Sequence, residues 1–127
     1  MEIHFKTPRG KDAENEISGK TTEFAERKIR NLKKYLGKEK ESAQVYVELG
    51  KDTEAHASGN IWRAMVNLDS HGKRYHADAT GETIEAAIDV AVRELEAELR
   101  KAKQRRESLL RKGGGALKAF MRGFGSR

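Results

Sequence analysis

The spacing of apolar residues changes along this chain in an order that admits few folds. "MEIHFKT" alternates Ile3 and Phe5 with His4 and Lys6, as a strand with one buried face requires, and Pro8 and Gly10 close it. From Ile17 to Leu36 the period becomes helical. Ala25, Ile29, Leu32 and Leu36 share one stripe, and Arg27, Arg30, Lys34 and Lys38 lie nearly opposite. Alternation returns in "AQVYVEL" (residues 43–49), with Val45, Val47 and Leu49 inward, and the polar "GKDTEAHASGN" after it reads as a loop. "NIWRAMVNLD" (residues 60–69) sets Trp62, Ala64, Val66 and Leu68 on one face. "SHGK" supplies a turn, and "RYHADA" turns Tyr75, Ala77 and Ala79 inward on a fourth strand.

Thr83 then has the chemistry of an N-cap, with Glu82 and Glu85 near the positive end of the helix it opens. Ile84, Ile88, Ala91, Leu95, Leu99 and Ala102 keep one stripe along that helix, which is expected to reach Lys112. At about 30 residues and about 45 Å it outruns a domain of this size, so its last turns should project into solvent. The order is strand, helix, strand, strand, strand, helix. Both helical stripes need cover, and one face of a four-stranded sheet provides it. The expected fold is therefore α+β, βαβββα, with two helices on one face of the sheet.

With 127 residues, one domain with a modest core is expected. There is no cysteine, which excludes disulfides and thiolate metal sites. "MEIHFKTPRG" lacks the apolar run of a signal peptide, and a cytoplasmic protein is the expectation. The net charge of +6 is unevenly placed. Residues 1–99 carry 16 basic and 19 acidic side chains, whereas residues 100–127 carry 10 basic and one acidic. A second basic cluster, "RKIRNLKKYLGKEK" (residues 27–40), holds seven Lys or Arg against one acid. Two basic patches on an otherwise balanced domain point to a polyanionic partner met from one side.

Motifs for catalysis or metal binding fail on their context. Gly19, Lys20 and Thr21 resemble the end of a phosphate-binding loop, but Glu14 stands where an earlier glycine is needed, and no apolar strand precedes. Asp69, Ser70 and His71 are adjacent in a turn, whereas a catalytic triad assembles through space. His4, His56, His71 and His76 form no i,i+4 pair, and only His4 and His76 are expected to share a sheet face. Glu96 is placed to pair with Arg100 along the helix. No enzyme, cofactor or metal site is indicated.

Lys and Arg lined along a helix can neutralise several phosphates together. Arg27, Lys28, Arg30 and Lys34 on the first helix, and Arg93, Arg100, Lys101, Lys103, Arg105 and Arg106 on the second, are the candidate RNA-binding residues. Zinc-finger, basic-zipper and helix-turn-helix patterns are missing, as is the aromatic triplet with which an RRM sheet stacks bases. A structured RNA read through shape and phosphate position is the expected target. Beyond Leu99, crowded like charge is expected to fray the segment from Arg105 to Lys112 until a polyanion relieves it. The Gly-rich stretch from Gly113 onward reads as a flexible basic tail.

Several of these segments resemble the ribosome hibernation-promoting factors, also called ribosome-associated inhibitors or ribosomal subunit interface proteins. "RYHADATGETIEAAIDVAVRELEAELRKAK" is similar to the family's last strand and second helix, with "AAID" at Ala86 to Asp89 and the Leu95, Leu99, Lys101, Lys103 spacing in register. "KIRNLKKYL" (residues 28–36) is similar to the family's "KLxKLxKYF". The resemblance covers residues 1 to about 106. It departs from the family where Glu94 and Ala97 replace basic residues and Glu85 replaces an aromatic one, so that Arg93 and Arg100 would take over from adjacent positions.

The resemblance implies a βαβββα domain akin to double-stranded-RNA-binding folds. It would hold rRNA between the head and body of the small ribosomal subunit, block the mRNA and tRNA path and inactivate idle ribosomes. It implies no catalysis, no cofactor, no membrane and no small-molecule substrate. The chain resembles the family's short form, which lacks a C-terminal dimerisation domain, and is expected to be a monomer off the ribosome. Residues 1–112 would be the ribosome-binding domain and residues 113–127 the tail. The rival readings are a general double-stranded-RNA-binding module and, more distantly, an adaptor whose basic helix meets an acidic protein.

Overall fold

The computed structural model describes residues 1–6, 17–52 and 62–113. The chain forms β1 (Glu2–Lys6), α1 (Gly19–Arg30), β2 (Gln44–Lys51), β3 (Trp62–Ser70), β4 (Lys73–Gly81) and α2 (Ile84–Arg111). One four-stranded sheet has the order β1-β2-β3-β4. β1 runs parallel to β2, a connection that needs a crossover, which α1 supplies, and the remaining pairs are antiparallel. The α+β, βαβββα architecture follows from the changes of apolar period. The Pro8 and Gly10 turn, most of the loop after β2, His56 and the tail from residue 114 lie outside the described residues.

The pairing register explains why one face is buried. Val45 lies opposite Leu68, and Leu68 opposite Tyr75, so inward residues form continuous rows across three strands. Ile29, Leu32 and Leu36 from the first helical arm, and Ile88, Leu95 and Leu99 from α2, close over those rows, each at most 2% exposed. Burying a Leu or Ile side chain this fully contributes about 1.5–3 kcal/mol, so these stripes anchor both helices.

Local signals fix the ends of the elements. Ser18 caps α1 by accepting from the Thr21 backbone N–H at 3.2 Å, which places Gly19, Lys20 and Thr21 in an ordinary helix start. Thr83 caps α2 by accepting from the Ala86 N–H at 3.0 Å. The expected helix to Leu36 is α-helical only through Arg30 and continues as a tighter 3-10 segment, Asn31–Tyr35. Leu32 and Leu36 stay buried through this change, and Gly37, at φ 57°, turns the chain toward β2. His71 and Gly72, at φ 55° and 70°, make the two-residue β3–β4 hairpin loop. The left-handed conformation of His71 is offset by two contacts: its backbone N–H donates to Glu39 Oε1 at 3.2 Å, and its Nδ1 lies 2.8 Å from Ser70 Oγ.

Candidate nucleic-acid interface

α1 and its 3-10 extension lie beside α2, and a groove of about 490 Å³ opens between them. Leu32 and Val92 contribute apolar lining, and Lys28, Lys34, Arg93, Asp89 and Glu96 supply the charge. Lys28 Nζ sits 3.1 Å from Asp89 Oδ1 and ties the two helices together. Glu96 accepts from the Tyr35 hydroxyl at 3.0 Å and pairs with Arg100 at 3.5 Å. Both groove carboxylates are thus engaged by the protein's own residues. Among the described residues neither Lys34 nor Arg93 has a carboxylate partner: Lys34 Nζ stands 5.3 Å over the Tyr35 ring, and Arg93 Nε donates to the Asp89 backbone carbonyl, at 3.4 Å.

The other candidates divide by what they touch. Arg27 is exposed and stacks 5.6 Å from the Phe24 ring. Arg30 donates to Glu26 at 2.8 Å and to the Met1 carbonyl at 3.3 Å, so it is held at the start of β1 and does not line the groove. On α2, Lys103 pairs with Glu107 at 3.0 Å, and this hydrogen bond holds the Glu107 carboxyl below its ordinary pKa. Lys101 and Arg105 are exposed and have no carboxylate partner among the described residues. Arg106 is half-buried, and its Nη2 donates to the Tyr35 carbonyl at 2.7 Å.

The fate of the basic segment therefore differs from what crowded charge alone suggests. α2 remains helical through Arg111, although Leu99 is its last fully buried residue. Repulsion is relieved within the chain by Glu96, Glu107 and the Tyr35 carbonyl. Tyr35 joins the arrangement through both its hydroxyl and its carbonyl, a role hidden in the sequence because a backbone acceptor leaves no residue-type signal. Its only sequence hint is its place beside the buried Leu36.

The opposite face of the sheet is polar and self-paired. His4, Tyr46, Asn67 and His76 form one row across all four strands. His4 stacks on Tyr46 with ring centroids 5.1 Å apart, and the Arg74 guanidinium lies 5.6 Å from the Tyr46 ring. Arg74 pairs with Asp69 at 2.7 Å, and Arg63 pairs with Asp78 at 2.5 Å. These arginines hold both carboxyls below their ordinary pKa, chiefly by hydrogen bonding. Among the described residues the face offers no free aromatic platform and little uncompensated charge, so the polyanion-binding potential lies on the helical side. Among the described residues no cluster of His, Asp or Glu could hold a metal ion, and no helix is long and apolar enough to cross a membrane.

Two solved structures share this fold. The N-terminal domain of Protein Y from Thermus thermophilus aligns with a TM-score of 0.57 and 21% identity, covering 79% of this chain and 93% of that one. A ribosomal subunit interface protein from Coxiella burnetii aligns with a TM-score of 0.61 and 19% identity, covering 82% of this chain and 99% of that one. No protein of curated function matches. The family model described as Sigma 54 modulation protein / S30EA ribosomal protein matches residues 10–107, which include α1, every strand after β1 and α2 as far as Glu107. The chain belongs to that family, the family of the hibernation-promoting factors that its helix motifs resemble.

Proposed function

We propose that this protein binds small-subunit rRNA in the mRNA and tRNA channel and inactivates idle ribosomes without catalysis. The observation that carries the reading is the asymmetry of charge. The groove between the helices holds Lys34 and Arg93, which have no carboxylate partner among the described residues, Lys101 and Arg105 extend the same sign along α2, and the arginines of the sheet face are paired with its own carboxylates. Family membership, and the fold shared with a ribosomal subunit interface protein of Coxiella burnetii, point the polyanion toward the ribosome. Phosphate contacts of this kind position a protein without reading sequence, which suits a structured rRNA cleft. Residues 1–112 would form the binding unit, working as a monomer off the ribosome, with residues 113–127 as a basic tail.

Co-sedimentation with purified small subunits tests this. Near-stoichiometric binding that mRNA and initiator tRNA compete away is the expected result. Equal affinity for unrelated duplex RNA would instead establish a general double-stranded-RNA-binding module, and binding to neither would leave the adaptor reading.

A further inference from the structure

Arg106 differs from the other cations of the basic segment in where its charge sits. Its guanidinium reaches back to the Tyr35 carbonyl, 71 residues away in sequence, at 2.7 Å. Tyr35 is the last residue of the 3-10 segment, where carbonyls lose their intrahelical partners and a cation is favoured. The Tyr35 hydroxyl meanwhile donates to Glu96, so one residue grips α2 at two points that lie about 15 Å apart along the helix. The Arg106 charge also reaches the β3–β4 hairpin. After burial, it is the main influence that lowers the His71 pKa, against the opposing pull of Glu39.

These contacts lie where the core ends. Leu99 is 2% exposed and Ala102 is the last apolar residue of α2 packed against the core, while Leu109 is only half-buried and Leu110 is 59% exposed, so core packing does not hold the helix beyond Ala102. The exposed cations Lys101 and Arg105 lie five residues and one residue before Arg106.

We propose that Arg106 is a positioning residue: it braces the α2 extension against the Tyr35 carbonyl, so that Lys101 and Arg105 meet RNA phosphates from a preformed helix. This rests on the ribosomal-RNA reading above and removes Arg106 from the phosphate ligands. A brace and a ligand have different salt signatures. Losing a phosphate ligand lowers the slope of log affinity against log salt by about 0.7–0.9. Losing a brace adds an ordering cost at every salt concentration and leaves the slope unchanged, because the same cations still reach the RNA.

Arg106→Met keeps the apolar stem and removes the donor, and Lys101→Met serves as the ligand comparison, both in the full chain. Arg106→Met should raise amide hydrogen exchange over residues 103–111 of the free protein by about tenfold or more. It should weaken small-subunit binding by about tenfold across the salt series at wild-type slope. Lys101→Met should leave exchange unchanged and lower the slope. The proposal is overturned if Arg106→Met leaves exchange unchanged and lowers the slope, which makes Arg106 a ligand. It is equally overturned if exchange rises while affinity stays at the wild-type value, which makes the brace structural only. Failure of the wild-type protein to bind small subunits refutes the ribosomal reading itself, a result separate from both.

Discussion

The pairing of the cations sets how steeply ribosome binding should depend on salt. Of the ten candidate residues, Lys28, Arg30, Arg100 and Lys103 already face Asp89, Glu26, Glu96 and Glu107. Arg106 is committed to the Tyr35 carbonyl. Arg27, Lys34, Arg93, Lys101 and Arg105 have no carboxylate partner among the described residues. Releasing counterions from about five phosphates gives a slope of log affinity against log salt of about −3.5 to −4.5. Between about 50 and about 200 mM salt the affinity should then fall by a few hundredfold, measured by anisotropy of labelled protein titrated with small subunits. If all ten residues bound phosphate, the slope would be about −7 to −9 and the fall about ten-thousandfold or more. A slope in that steeper range would show that the surface ion pairs open on binding and would refute the division made from their geometry. A flat response would refute phosphate binding altogether.

Lys34→Glu should cost about tenfold or more in affinity near 0.1 M salt, whereas Arg30→Glu, away from the groove, should cost less than about threefold. Both variants should melt close to the wild-type temperature, because exposed substitutions usually change stability by no more than about 0.5 kcal/mol. Gly81→Ala should destabilise by about 1–3 kcal/mol in urea melts, because a Cβ there would lie 2.8 Å from the Ala87 backbone nitrogen and 3.0 Å from Ala86 Cβ. His71 has a lowered pKa in the folded state, so the unfolded chain takes up the proton first as pH falls. Its contribution should be present above about pH 6.5 and lost as the pH drops below that value. Thermal melts from about pH 7.5 to about pH 5 should therefore fall more for the wild type than for His71→Asn, a substitution that tolerates the left-handed turn. Equal pH dependence of the two would remove His71 from this linkage.

The fold was legible because burial imposes a period. Val45, Val47, Ala64, Val66 and Leu68 could alternate only on a one-sided sheet, and the stripe from Ile84 to Leu99 only on a helix packed against it. Thr83 and the His71–Gly72 turn were legible because caps and tight turns select residue types locally. The change to 3-10 geometry after Arg30 was not, since the same apolar spacing serves both helical forms. The candidate site was half legible. Residue type marks a cation, but its partner depends on tertiary placement. Arg30 and Lys34 look alike in sequence, yet one is held at Met1 and the other lines the groove. Arg106 looked like its neighbours because its partner is a backbone carbonyl.

The exposed ridge of α2 constrains the approach of a polyanion further. At 100° per residue, Glu94, Glu98, Lys101 and Arg105 fall within one sector about 60° wide that forms a ridge along one flank of the buried stripe, and all four are exposed. The sign along this ridge changes from negative to positive at Leu99. The helix dipole favours acids near the N-terminus and bases near the C-terminus, but its influence fades within the first and last turns. Leu99 lies about four turns from Ile84 and about three from Arg111, too far from either end for the dipole to set that boundary. The boundary coincides instead with the end of the fully buried core. The ridge therefore repels a phosphate backbone where the helix lies on the sheet and attracts it where the helix outruns the sheet. If rRNA is the partner, it meets this ridge from the Leu99 end, and the acidic Glu94 and Glu98 limit how far along α2 it can extend.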